Sequence, residues 1–209
     1  MGDRIRKIWV DRLPYNPLSP DFAPEIEVLI PTHGKDIEVL QTCIRHLEKY
    51  CQNPISQITI VSPKPLAAPI ESQSRLSQVL DRDLLTPVLV GALKNIRANH
   101  GEKVSDTWIL QQLLKLQFVL KSKCETGILV LDSDTLLLRP RVFLDFQGVQ
   151  LLVPSYEYHK PYFRHSSMFA DPSSTSRAIS FVSHHQLFRP QVLRTAISDE
   201  RALAAWPRR

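Results

Sequence analysis

The chain of 209 residues is poor in cysteine: Cys43, Cys51 and Cys124 are an odd number with no Cys-x-x-Cys spacing. Neither a disulfide framework nor a zinc site follows from them, and a reducing cytoplasm is the expected compartment. Long apolar runs are missing as well. No stretch approaches transmembrane length, and Ile8-Trp9-Val10 behind Arg4, Arg6 and Lys7 is too short for the core of a signal peptide. The expectation is a soluble protein with no transmembrane segment, peripheral contact with a membrane being left open. Charge of one sign is also scarce, with 26 Lys and Arg against 21 Asp and Glu, a net of +5. That excess suits an anionic ligand. It falls short of a nucleic-acid-binding profile, and no basic run is interleaved with aromatics, so nucleic acid is excluded as a partner. There is no internal repeat. What remains, 43% apolar and 22% charged residues, supports one domain with one sizeable core.

Along the chain, strand and helix patterns alternate. Residues 1–24 carry Pro14, Pro17, Pro20 and Pro24 and read as an extended arm ahead of a single domain spanning 25–209. Glu27–Ile30 reads as the first strand, ending at Pro31-Thr32-His33-Gly34. Asp36 can cap a helix whose apolar face is Ile37, Leu40, Ile44 and Leu47. Ile58–Val61 reads as a second strand ending at Ser62-Pro63, followed by a Pro-rich connection, a weak helical pattern over Glu71–Leu80 and a third strand at Pro87–Val90. Residues 91–104 read as a loop near the site, and the strongest helix runs from Thr107 to Lys123. Beyond residue 140 come a short strand at Leu151–Pro154, an aromatic and basic loop at Tyr156–His165, a turn at Ser173–Ser176 and a strand at Ala178–Val182. That strand ends in Ser183-His184-His185, and Pro190 starts a final helix. Alternation of this kind implies an α/β fold whose mostly parallel sheet is flanked by helices, with ligands bound beyond the carboxyl ends of the strands.

The stretch Gly127-Ile-Leu-Val-Leu-Asp-Ser-Asp-Thr135 carries the chemistry. Ile128 to Leu131 are continuously apolar, as in a strand buried on both faces. Successive side chains on a strand alternate, so Asp132 and Asp134 project to the same side while Ser133 points away, and two such anions need a compensating cation. Oxygen-only ligation favours Mg²⁺ or Mn²⁺, which complete their shells with water and substrate phosphates. His184 or His185 can supply a third ligand, but on a strand only one of them faces the site. Lys115 lies one helix ahead of the Asp strand and can reach a phosphate. Plainer readings exist for each: the Asp pair capping a turn, Lys115 as a solvated helical charge, the histidines in core or loop, and the aromatic loop as a plug for the sheet end.

The order of a strand ending in Ile30-Pro31-Thr32, a second ending in Val61-Ser62-Pro63, a helix with Gln111, Lys115 and Gln117, and then Val130-Leu-Asp-Ser-Asp-Thr135 resembles the nucleotide-diphospho-sugar transferase fold, GT-A. Within that fold it resembles an uncharacterised bacterial family of glycosyltransferase-like proteins, in which a Ser-His-His or similar segment follows the Asp-x-Asp strand. The resemblance spans roughly residues 25–200. It implies a metal-dependent transferase using a nucleoside-diphosphate sugar, with UDP or GDP as the leading donors and a saccharide, lipid or protein as acceptor. Pro31, Thr32, His33, Ser62, Lys115, Asp132 and Ser133 would bind the nucleotide. Asp132, Asp134 and one of His184 and His185 would hold Mn²⁺ or Mg²⁺. Residues 25–140 would form the nucleotide- and metal-binding part and 141–209 a partial acceptor side. The His-x-x-Gly-x-x-Lys-Pro-Trp ending of one metal-binding GT-A group is absent, and the chain stops soon after its last helix. A minimal, truncated or partner-dependent member is therefore expected, donor binding surviving better than transfer. No catalytic base is legible, the candidates being Glu157, His159, His165, Asp171, Asp199 and Glu200. The alternatives are a degenerate nucleotide-sugar-binding protein without catalysis and a phosphatase of haloacid dehalogenase type, which would want a Thr one residue later than Thr135.

Overall fold

The computed structural model describes residues 23–33, 37–100, 106–155 and 183–197. In chain order the elements are β1 (Ile26–Pro31), α1 (Ile37–Tyr50), β2 (Ile55–Ser62), β3 (Arg75–Leu80), α2 (Asp81–Leu84), α3 (Pro87–His100), α4 (Asp106–Lys121), β4 (Ile128–Leu131), β5 (His185–Phe188) and α5 (Pro190–Ala196). The five strands form one sheet in the order β3-β2-β1-β4-β5. Every neighbouring pair is parallel except β4 and β5, which are antiparallel. The α/β expectation of a mostly parallel sheet flanked by helices is met.

Alternation along β1 and β4 shows why Val28–Ile30 and Ile128–Leu131 are uniformly apolar. Val28, Ile30, Leu129 and Leu131 join Leu40, Cys43, Ile44 and Leu47 of α1 in one buried cluster. Leu29, Ile128 and Val130 point the other way, into a cluster with Leu114 and Val119 of α4. A strand covered on both faces can spare no polar residue. Gly127, just before β4, leaves room for its neighbour: a Cβ there would meet the Leu187 side chain of β5 at 3.1 Å. No helix among the described residues is long and apolar enough to cross a membrane.

Four local expectations are corrected. The weak helical pattern over 71–80 gives way to β3, because the exposed flank of β2 offers a ladder from Gln57 opposite Arg75 to Ser62 opposite Leu80. Gln57 and Thr59 also bond the Ser77 hydroxyl across the pair, at 2.8 and 2.9 Å, so cross-strand partners override a marginal helical period. Pro87–Val90 is not a strand, and most of 91–104 is not a loop. Both belong to α3, whose start is written in Thr86-Pro87: the Thr86 hydroxyl accepts from the Leu89 amide at 3.4 Å, and proline occupies the first helical position. Leu89 and Ala92 then bury against Ile109 and Leu113 of α4. Leu151–Pro154 forms no strand; Leu151 bonds the Phe143 carbonyl at 2.9 Å beside an isolated bridge between Leu144 and Gln150. Pro190 does open the final helix. The arm up to residue 22, the aromatic loop, the Ser173–Ser176 turn, the 178–182 strand and all six candidate bases lie outside the described residues.

Candidate functional site at the carboxyl edge of the sheet

From β1 the chain winds outward through β2 to β3, then crosses back to place β4 on the other side of β1. The order therefore reverses between β1 and β4, and in an open parallel sheet the crevice beyond the carboxyl ends at such a reversal is where ligands bind. Thr32 and His33 leave β1 there, and Asp132 leaves β4. Because β5 runs antiparallel, with His185 opposite Leu131, its first residues arrive at the same edge.

Asp132 is the centre of the arrangement. Its Oδ1 lies 2.6 Å from Lys115 Nζ, and its Oδ2 lies 3.2 Å from His184 Nδ1. The Lys115 and Asp132 side chains retain only 13% and 22% exposure, whereas His184 retains 79%. The backbone of Asp132 is fixed as firmly: its N–H donates to the His184 carbonyl at 2.9 Å, and its carbonyl accepts from the Thr135 amide at 3.0 Å and the Cys43 thiol at 3.7 Å. The bond to Thr135 closes a turn over residues 132–135. This corrects the geometry expected from the sequence. The strand stops at Leu131, so alternation along a strand does not set the direction of Asp134.

Asp134 is exposed and has no hydrogen-bond or ion-pair partner among the described residues. Its position is nevertheless marked by Cys43. Burial pushes that thiol up to about 12, and the carboxylates of Asp134 and Asp132 push in the same direction, so both anions lie near one sulfur. Burial also pushes Cys51 up to about 12. At about pH 8 these thiols are thiolate in roughly one part in ten thousand. A chromogenic disulfide reagent is therefore expected to titrate the half-buried Cys124 first, the half-buried Cys51 more slowly, and the buried Cys43 only on unfolding. Three thiols reacting together in the native protein would contradict the packing.

The two histidines part company. His184 precedes β5 and meets Asp132, while His185, the first residue of β5, packs edge-on against Phe143 at 5.7 Å between centroids. Burial pushes the His185 imidazole down to about 4, helped by the charges of Arg141 and His184 and opposed by Asp132. Its Nε2 is buried without a hydrogen-bond partner among the described residues.

Of the other residues named from sequence, Pro31 is buried at the end of β1, opposite Val61, and the Thr32 amide continues that ladder with a 2.8 Å bond to the Val61 carbonyl. Ser133 is half-buried inside the turn. Ser62 reaches the same edge one strand further out, but its hydroxyl is fully buried, donating to the Lys64 carbonyl and accepting from Gln78 at 2.6 Å. The structure thus brings Lys115, Asp132 and His184 into contact and keeps the Ser62 hydroxyl inside the β2–β3 margin. His33 is exposed, and its charge is felt at Asp81, whose carboxyl burial pushes up and His33 pulls down. Asp81, Thr135 and Cys43 were not singled out from sequence. Only Cys43 carried a legible signal, as it falls on the Leu40 and Leu47 face of α1. A cavity of about 400 Å³ between Ile60, Leu66, Pro69, Ile70 and Gln78 shares no lining residue with this site.

The donor set suits a hard divalent cation. Each oxygen of Asp132 has one partner and keeps lone pairs, Asp134 is open, and carboxylate oxygens are the ligands that Mg²⁺ and Mn²⁺ prefer. Among the described residues no group of three or more His, Cys, Asp or Glu is placed to hold a metal alone. Phosphates and water would have to complete the shell, as they commonly do for Mg²⁺. No protein-family model matches the chain, and comparison with the curated proteins gives no match either.

Proposed function

We propose that this chain is a metal-dependent glycosyltransferase of the GT-A type, binding a nucleoside-diphosphate sugar across the carboxyl ends of β1 and β4. The observation that carries the reading is Asp132, placed at the reversal of strand order, clasped by Lys115 and His184 and followed at once by the open carboxylate of Asp134. Asp132 and Asp134 would hold Mn²⁺ or Mg²⁺, with His184 rather than the half-buried His185 as the available imidazole. The ion would neutralise the departing diphosphate. Lys115 brings a cation from the α4 side, so a diphosphate at this edge meets positive charge from a side chain already oriented by an ion pair. Thr32 and His33 are the nearest polar residues from β1 for the nucleoside. The acceptor would be a saccharide, lipid or protein. A phosphatase of haloacid dehalogenase type fits less well, because its motif wants a Thr one residue beyond Thr135.

Calorimetry with UDP and GDP tests the reading. Mn²⁺ or Mg²⁺ is expected to tighten nucleotide binding, and Asp134→Ala to weaken it by about tenfold in the presence of metal. Unchanged affinity in Asp134→Ala, or equal affinity with and without metal, would remove the metal assignment. A panel of UDP- and GDP-sugars with Mn²⁺ then separates the possibilities by chemistry. Nucleoside diphosphate release that rises with an added acceptor means transfer, and binding without release means a nucleotide-sugar-binding protein.

A further inference from the structure

We propose that Lys115 fills the cation position of Asp132 in the nucleotide-free protein, and that a divalent cation enters only as the phosphates of a nucleoside diphosphate draw the ammonium away. The proposal rests on the nucleotide-sugar reading above and deepens it by ordering the two binding events. Its basis is the unequal treatment of the two carboxylates. Asp132 is paired at 2.6 Å with a lysine that is itself largely shielded, while Asp134, two residues on, is exposed and has no partner among the described residues. A carboxylate so paired gives up little when a second cation arrives, since the incoming ion must oppose the ammonium at contact distance.

The other partner of Asp132 presents no comparable barrier. His184 is 79% exposed and holds Oδ2 at 3.2 Å, so solvent screens most of that interaction. The cost of entry is set by Lys115. Its backbone is fixed in α4 between the buried Leu114 and Gln117, but its ammonium sits on a four-carbon stem and can swing to a phosphate without moving the helix. A diphosphate is the ligand that makes the exchange favourable: it offers Lys115 new anionic oxygens and supplies the same ion with ligands that the protein lacks. Metal and nucleotide then bind poorly apart and well together, and the coupling must be reciprocal.

The test is titration of MnCl₂ into the full chain by calorimetry, first alone and then with UDP or GDP present, for the wild type, Lys115→Met and Lys115→Arg. Met keeps the apolar stem without the charge, and Arg keeps the charge. Lys115→Met is expected to bind Mn²⁺ alone roughly tenfold more tightly than the wild type, as befits removal of one unit charge from a partly exposed carboxylate. Its coupling to nucleotide should shrink correspondingly, and Lys115→Arg should return metal affinity to the weak wild-type value, which a purely structural role for the lysine would not do. Equal Mn²⁺ affinity in the wild type and Lys115→Met, or coupling unchanged by the loss of charge, overturns the proposal. If Lys115→Met does not fold, Lys115→Gln replaces it, with far-ultraviolet circular dichroism as the check. Mn²⁺-dependent binding of UDP or GDP by the wild type leaves the nucleotide-sugar reading standing even where Lys115 proves irrelevant. Binding of neither nucleotide under any of these conditions removes both.

Discussion

Asn53→Ala is expected to destabilise the fold by about 3–4 kcal/mol, the sum of several buried groups losing their only side-chain partner. Asn53 lies between α1 and β2 and is 2% exposed. Its amide nitrogen donates to the carbonyls of Pro24 and Leu144 at 2.9 and 2.7 Å, and its oxygen accepts from the amides of Phe143 and Leu144 at 2.7 and 3.3 Å. One side chain therefore ties the entry to β1 to the segment that returns after β4. Alanine cannot reach any of the four groups, and at 2% exposure water cannot replace it without opening the core. Asn53→Asp should be no milder, because its second oxygen would face two carbonyls that need donors. Urea unfolding checks this directly, and a loss below about 1 kcal/mol would mean that the 143–144 segment finds other partners. The effect should also reach the site. Phe143 packs on His185, and His185 opens the strand that delivers His184 to Asp132.

How much of this was legible in the sequence depends on the range of the interaction responsible. The mostly apolar runs at 27–30, 58–61 and 128–131, and the 3.6-residue face of α1, are local patterns, and each became the element they describe. β3 was not legible, since Arg75–Leu80 becomes a strand only because β2 stands beside it with Gln57 and Thr59 ready to bond Ser77. The start of α3 was legible but misread: Val88, Leu89 and Val90 look like a strand core, yet Thr86-Pro87 is a helix opening, and the cap signal outweighs β-branched residues over so short a run.

The site divides along the same line. That Asp132 ends a buried strand is visible in the chain, because an apolar run stopping at an acid needs no tertiary information. That Lys115 pairs with it could be named as a position on the preceding helix, but the 2.6 Å contact depends on how α4 lies across β4. From charge burial the sequence argument placed a divalent metal beside Asp132 and Asp134. The structure places an ammonium beside Asp132, which the sequence argument had assigned to a phosphate instead. His184 and His185 could not be ranked, since the ranking depends on where β5 begins, and one residue of register exchanges the two faces.

Acid is expected to unfold this protein earlier than an otherwise identical chain lacking His185. The His185 imidazole, held at about 4 in the folded state mainly by burial, has an ordinary value of 6.5 when unfolded. Between those values the unfolded chain binds a proton that the folded chain refuses. Stability is therefore fully present above 6.5 and falls with decreasing pH, by as much as about 1.4 kcal/mol per pH unit, levelling off below about 4. The total is on the order of 3 kcal/mol. The groups around the ring account for the direction: Arg141 and His184 oppose its protonation, Asp132 favours it, and Phe143 covers one side with apolar surface. Glu27 and Asp81 act in the opposite sense. Burial raises both carboxyls, so each is easier to protonate folded than unfolded and gains stability as the pH falls. Raw wild-type profiles thus mix the two effects, and the decisive quantity is the difference between wild type and His185→Gln in urea unfolding from pH 7.5 to 4. The glutamine keeps a polar group of similar reach without a proton to gain. The wild type should lose about 3 kcal/mol more than the variant over that range, nearly all of it below pH 6.5. Parallel curves would mean that the ring opens to water before it titrates, and that the first residue of β5 is not held against Phe143.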